Sequence, residues 1–179
     1  MSDYFDMIAR RQSCRSYGDR PVEREKLEKC VEAARLAPSA CNGQPWKYIV
    51  VTRPETVEAL RPCLQGMGMN KFADGCAAFA VVTEVASNLS ATVGARFQRQ
   101  DFASIDIGLS VSQFCYAALE QGLSTCILGW LNEKKIKALL SLPESCRVRL
   151  VLCVGYAAEG DPLRKKVRKS TEEMASFMD

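Results

Sequence analysis

Residues 101–121 constrain this chain more than any other stretch. At helical spacing they carry Ile105, Ile107, Leu109, Val111, Phe114, Cys115, Ala118 and Leu119 around nearly the whole circumference, and Gly122 follows as the natural stop. A helix that is apolar on every side has to be covered on every side. In a chain of 179 residues part of that cover is expected from a second copy, so the helix predicts a homodimer; the alternative is the central helix of a monomer. The length fits a single domain over 1–179, and 47% hydrophobic residues are enough for a buried core.

The flanking segments supply the layers. Residues 3–9 read as a short helix with Tyr4, Phe5 and Ile8 on one side, and Glu23 to Leu36 places Leu27, Cys30, Val31 and Ala34 on one helical face before Pro38. A helix is expected from Glu55 to Leu60, stopping near Pro62 for want of an amide donor, and another from Glu133 to Leu140. Tyr48–Thr52, Ala77–Thr83, Thr125–Leu128 and Arg147–Gly155 read as strands, the second buried on both faces because it does not alternate. Gln65 to Asn70 is too rich in glycine for a regular element, and Ser90 to Gln100 reads as a polar, exposed helix. Strands alternating with helices give a layered α/β or α+β domain.

Composition removes several kinds of chemistry. The chain has no histidine, which excludes Ser/His and Cys/His nucleophilic pairs and His-ligated metal, and its nine cysteines show neither a C-x-x-C pair nor zinc-type spacing, so no metal is expected. Their odd number, with no signal peptide, points to reduced thiols in a cytoplasm; most read as packing residues, while Cys14 and Cys41 stand beside polar motifs. No apolar run reaches the roughly 18 residues a transmembrane helix needs, so no membrane association is expected. The net charge is +3, of which residues 1–163 carry only +1, so a broad nucleic-acid face is not expected either.

Three motifs remain. Ala9 to Tyr17 sets Arg10, Arg11 and Arg15 beside the hydroxyls of Ser13 and Ser16. Such density suits a phosphate monoester, although a solvated basic loop has the same composition. Ala37 to Trp46 is polar without charge and stiffened by two prolines, as the edge of a neutral heteroaromatic ring requires; it could equally be a connector. In the tail, Lys166 and Arg168 share one side of an extended segment and could close with the first motif around one dianion.

Taken together, Arg11-Gln12-Ser13-Cys14-Arg15, Ala37-Pro38-Ser39-Ala40 with Asn42 and Gln44-Pro45-Trp46, Asp106-Ile107-Gly108, Gly122-Leu123, Ile127-Leu128-Gly129-Trp130, Leu142-Pro143-Glu144, Gly155-Tyr156 and Lys166-Val167-Arg168 resemble, in order and along essentially the whole chain, the nitroreductase family of FMN flavoproteins. The resemblance implies an α+β fold with a central mixed, mainly antiparallel sheet flanked by helices, in a domain-swapped homodimer. It implies that residues matching Arg11, Ser13, Lys166 and Arg168 hold the FMN phosphate and that Gln12 joins them. Arg15 would lie at the flavin N1 and O2 edge, where a cation stabilises the reduced ring. The backbone amides of Leu128 and Gly129 would face N5 and O4, Asn70 the pyrimidine edge, and Pro38, Ser39, Ala40 and Asn42 would arrive from the partner subunit.

The activity implied is hydride transfer from NADH or NADPH through flavin N5 to a small-molecule acceptor, a nitroaromatic, quinone or other conjugated electrophile, in a ping-pong sequence. Alternatives are a dedicated metabolite oxidoreductase or dehalogenase on the same fold, and a non-catalytic flavin-binding electron relay. Two departures stand out: Ser170 replaces the proline usual after the basic pair, and the region between Thr83 and Asp101, which in the family covers the substrate face, is short.

Overall fold

A computed structural model of the chain describes residues 4–86 and 99–178. Its helices are α1 (Tyr4–Arg10), α2 (Arg24–Arg35), α3 (Pro54–Leu64), α4 (Phe102–Glu120), α5 (Glu133–Leu139) and α6 (Thr171–Met174), and its strands are β1 (Trp46–Val51), β2 (Ala78–Glu84), β3 (Ser124–Leu128) and β4 (Arg147–Gly155). The strands form one sheet in the order β1-β2-β4-β3. Every pairing between them is antiparallel. The parallel component is an isolated bridge from Ser13 to Thr125 on the outer edge of β3.

The two faces of the sheet bury different cores, and strand alternation sorts the residues between them. From β2 and β4, Phe79, Val81, Val151 and Cys153 pack with Leu60 and Leu64 of α3 and Ile136 of α5. Their neighbours Ala78, Ala80, Val82, Leu152 and Val154 pack with Leu27 and Cys30 of α2 and Phe114 and Ala118 of α4. This double cover is why the central strands carry no polar alternation. Alanines on the α4 side let the long helix approach the sheet closely.

The α4 helix departs from the reading of its sequence in an informative way. Its buried stripe includes Asp106 and Ser110 along with Ile107, Val111, Phe114, Cys115 and Ala118. Ile105 and Leu109 lie on the outer side, 51% and 43% exposed. Polar groups therefore face the interior while large apolar ones face out. By length and composition α4 is also apolar enough to cross a bilayer, which corrects the expectation that no stretch is; here its buried stripe is packed against α2 and the sheet. Gly122, at φ 76°, ends the turn after it as expected.

Other boundaries shift for local reasons. The α3 helix runs through Pro62 to Leu64, because Leu60, Cys63 and Leu64 are buried while Pro62 is exposed. The Cys63 carbonyl at its end accepts the Asn132 N–H at 2.7 Å. The stretch after it forms short 3-10 turns at Gly66–Gly68 and Lys71–Gly75. The helix expected over Ser90–Gln100 lies largely outside the described residues, which include Arg99 and Gln100 but no others of that range. Among the described residues no disulfide joins the nine cysteines, most of which are buried, Cys14 among them, whereas Cys41 is exposed.

Tyr17 fixes the N-terminal segment to the sheet. It bridges Ala157, the Gly18 N–H donates to the Tyr156 carbonyl at 3.0 Å, and the Ala158 N–H donates to the Ser16 carbonyl at 2.9 Å. A Cβ at Gly155 would sit 2.9 Å from the Tyr17 ring, so only glycine admits it. The Tyr17 hydroxyl is buried without a hydrogen-bond partner among the described residues, and burial pushes its pKa well up. Gly155→Ala is expected to cost about 1–3 kcal/mol in urea denaturation, whereas Tyr17→Phe, which removes an unsatisfied hydroxyl and keeps the ring, is expected to be neutral or stabilising by up to about 1 kcal/mol.

Candidate functional site

The end of α1 delivers the basic turn to the edge of β3. The Arg11 N–H closes the last turn of α1 on the Met7 carbonyl at 2.9 Å, and the Cys14 N–H then donates to Thr125 at 2.9 Å. Residues 11–15 thus run along β3 as a fragment of a further strand. Because the Cys14 side chain is buried, alternation turns Ser13 and Arg15 outward.

The tail comes back to meet this turn. Gln12 acts as a two-ended tie: its Nε2 donates to the Pro162 carbonyl at 3.1 Å and its Oε1 accepts the Arg164 N–H at 3.0 Å. Arg164 also donates to the Ser13 carbonyl at 3.2 Å and pairs with Asp161 at 2.8 Å. Beyond it, the Lys166 ammonium donates to the Arg11 carbonyl. Lys166 feels both Arg168 and Arg11: desolvation, then repulsion from those two cations, holds its pKa below the ordinary lysine value of 10.5. Arg11, Lys166 and Arg168 therefore lie close enough to act on one another as one cationic cluster.

A second group lies further along β3. Arg15 stands 5.9 Å from the centre of the Phe72 ring. Asn70, in a left-handed conformation at φ 55°, donates its amide to the carbonyls of Leu64 at 3.0 Å and Trp130 at 3.3 Å. The Trp130 indole N–H returns a bond to the Gly66 carbonyl at 2.9 Å. Leu128 is the last residue of β3 paired to β4, so the chain leaves the ladder at Gly129. Burial raises the Cys126 pKa, while Arg15, a hydrogen bond from Ser13, and Arg11 pull it down, which places both arginines around the same strand.

The remaining predicted residues, Pro38, Ser39, Ala40 and Asn42, stand apart from both groups. Their loop is bonded to α4, where Asp106 accepts the Ala40 N–H at 3.1 Å, and to itself, where the Ser39 hydroxyl accepts the Gln44 N–H at 3.0 Å. Pro38 lines an apolar cavity of about 680 Å3 with Tyr4, Leu36, Leu109 and Tyr116. Arg11 lines a neighbouring one of about 270 Å3 with Gly108, Ile127 and Leu150. Ser112 and Tyr116 border both.

The family profile described as Nitroreductase family matches residues 8–67 and 64–156. The chain belongs to the nitroreductase family. It is 32% identical over 160 residues to an Archaeoglobus fulgidus protein named provisionally as an NADH dehydrogenase/NAD(P)H nitroreductase, covering 87% of this chain and 86% of that protein. It is 29% identical over 175 residues to an NADH dehydrogenase of Thermus thermophilus, covering 84% of each. A nitroreductase-like protein of Exiguobacterium sibiricum, solved in complex with FMN, superimposes with a TM-score of 0.82 at 20% identity, over 99% of this chain and 98% of that one.

Two features of this nitroreductase escape the sequence reading. Gln12 spends its amide on the backbone of the tail, and Arg164, counted only as tail charge, is the side chain that joins tail to turn. Nothing in the spacing of residues 12 and 164 announces a contact over 150 positions away. Asp106 did leave a signal, as an acid set among the apolar residues of α4, well away from the helix end where Glu120 stands. Ser170, which departs from the family pattern, caps α6: its hydroxyl accepts the Glu173 N–H while the Glu173 carboxylate accepts the Ser170 N–H.

The charge cluster has a testable pH signature. A lysine with a lowered folded-state pKa carries a penalty that is complete below that pKa and disappears as the pH rises toward 10.5, so the anion-free protein gains stability over that alkaline range. An anion between the cations removes the penalty. Inorganic phosphate is therefore expected to raise the thermal midpoint by about 2–4 °C in the wild type and by less than about 1 °C in Lys166→Ala, read by calorimetry at neutral pH.

Proposed function

We propose that this protein is an FMN-dependent NAD(P)H oxidoreductase acting as a homodimer. The observation that carries this reading is the meeting of the two ends of the chain, where the Lys166 ammonium donates to the Arg11 carbonyl and feels the charges of Arg168 and Arg11. Three cations and a hydroxyl match the charge and acceptor geometry of a phosphate monoester. FMN bound there supplies the redox chemistry, two electrons taken from NADH or NADPH and passed in a ping-pong sequence to a nitroaromatic, quinone or other conjugated electrophile.

The protein's own part is positioning and electrostatics. Arg11, Ser13, Lys166 and Arg168 hold the phosphate, and Gln12 and Arg164 hold the tail in place. Arg15 keeps a positive charge on the side of the ring where negative charge collects on reduction. The amides of Leu128 and Gly129, where β3 leaves the ladder, offer hydrogen bonds to the ring edge, and Asn70 orders the neighbouring loop. With no histidine in the chain, proton delivery falls to water.

Pro38, Ser39, Ala40 and Asn42 belong to the site of the second copy. The exposed Ile105 and Leu109 of α4, and the apolar cavity beside them, support an interface on this face. The unpaired outer edge of β1 and the exposed Phe177 and Met178 of the tail fit a swapped terminus.

The purified protein is expected to be yellow, or to take up FMN when offered it, to bleach within seconds under anaerobic NADH or NADPH, and to regain colour with menadione. A colourless preparation that takes up no FMN would end the proposal. Arg15→Ala is expected to slow anaerobic reduction by about tenfold or more while the FMN dissociation constant changes by less than about threefold, in stopped-flow and fluorescence titration.

A further inference from the structure

We infer that Asp106 is a positioning residue for the cofactor site of the opposite subunit, acting through the loop that joins α2 to β1. The inference rests on the dimeric reading above, in which Ser39, Ala40 and Asn42 approach the second copy's cofactor. Asp106 is 5% exposed on the inward stripe of α4, and its Oδ2 accepts the Ala40 N–H at 3.1 Å. The acceptor is thus a side chain of a rigid helix and the donor is the central residue of the proposed contact.

The loop needs such an anchor. Cys41, Asn42 and Gln44 have φ of 49°, 52° and 43°, the left-handed region that side chains other than glycine and asparagine avoid. Ser39, two residues before Cys41, is extended, at φ −149° and ψ 153°, so the chain changes course over Ala40. Within the loop, the Gln44 N–H donates to the Ser39 hydroxyl and the Gly43 N–H to the Ala40 carbonyl. Those bonds shape the loop from within. The Asp106 bond ties the Ala40 amide to α4, and so bears on where Ser39 and Asn42 point.

The same helix brings the two halves together. One residue before Asp106, Ile105 is on the outer face, and two residues after it Gly108 borders the cavity that contains Arg11. A displacement of the loop relative to α4 is thereby a displacement relative to the shared surface. Asp106 touches no reacting atom in this scheme, and its effect passes through the Ala40 amide.

The discriminating measurement is backbone amide exchange of the FMN-free protein, with FMN affinity and oligomeric state measured on the same preparations. In Asp106→Ala the amides of residues 38–44 are expected to exchange about tenfold faster, with α2 and β1 unchanged, and FMN to bind about tenfold more weakly. Asp106→Asn keeps an acceptor oxygen and is expected to restore both to within about threefold of wild type. Wild-type exchange of 38–44 in Asp106→Ala, or a rise shared equally with α2 and β1, overturns the positioning role. If Asp106→Ala does not fold, Asp106→Asn decides it: exchange of 38–44 raised as far as that of α2 and β1 refutes the inference, and wild-type exchange with wild-type affinity supports it. Failure of the dimeric reading shows separately, as a wild-type protein that sediments as a monomer with FMN bound.

Discussion

Like charges gathered in one place have to be kept there by something other than themselves. Arg11, Lys166 and Arg168 repel one another, and desolvation together with that repulsion holds the Lys166 pKa below its ordinary value. What opposes it is uncharged or paired locally: the Gln12 amide on the tail backbone, the Arg164 bridge neutralised by Asp161, and the bridges that dock residues 13–18 on β3 and on the segment after β4. The rest of the molecule is arranged so that this binding energy is available before any anion arrives. A prepared cluster of this kind binds its ligand without first having to order the chain around it.

The sheet makes that preparation possible. Because both faces are covered, β3 is rigid although it lies at an edge, and the N-terminal segment can use its outer side as a template. The same edge carries the two groups of candidate residues, the cationic cluster near Thr125 and the Arg15, Asn70 and Trp130 group near Gly129. The two faces of α4 organise the third. Its inward carboxylate takes hold of the α2–β1 loop, and its outward isoleucine and leucine present a face suited to another chain.

Much of this was legible in the sequence because it is local. Continuous apolar runs such as Ala78–Thr83 gave the strands, the spacing of Leu27, Cys30 and Ala34 gave α2, and the left-handed Gly122 gave the end of α4. What resisted reading depends on distance or on context. Pro62 stands within a helix because its neighbours on the buried side outweigh one lost hydrogen bond, a balance that composition does not display. Gln12 and Arg164 look like ordinary surface residues until the tail has folded back. The Asn70 amide donates to the carbonyls of Leu64 and Trp130, contacts that join its loop to the end of α3 and to the segment after β3 and that its own neighbours in sequence do not announce. The burial of Asp106 could be suspected from its apolar neighbours, but its partner, Ala40, only emerges when the helix is docked.

The clasp spans nearly the whole polypeptide, with Lys166 meeting Arg11 across 155 positions. During synthesis the N-terminal half of the anion seat therefore waits, incomplete, while the sheet is still being made. For the proposed site, residue 168 has to clear the ribosome before a dianion would meet its full complement of charge. Ligand stabilisation consequently reaches only molecules whose translation has passed that residue, and a chain halted a few residues short of it keeps most of its hydrophobic interior yet loses that protection.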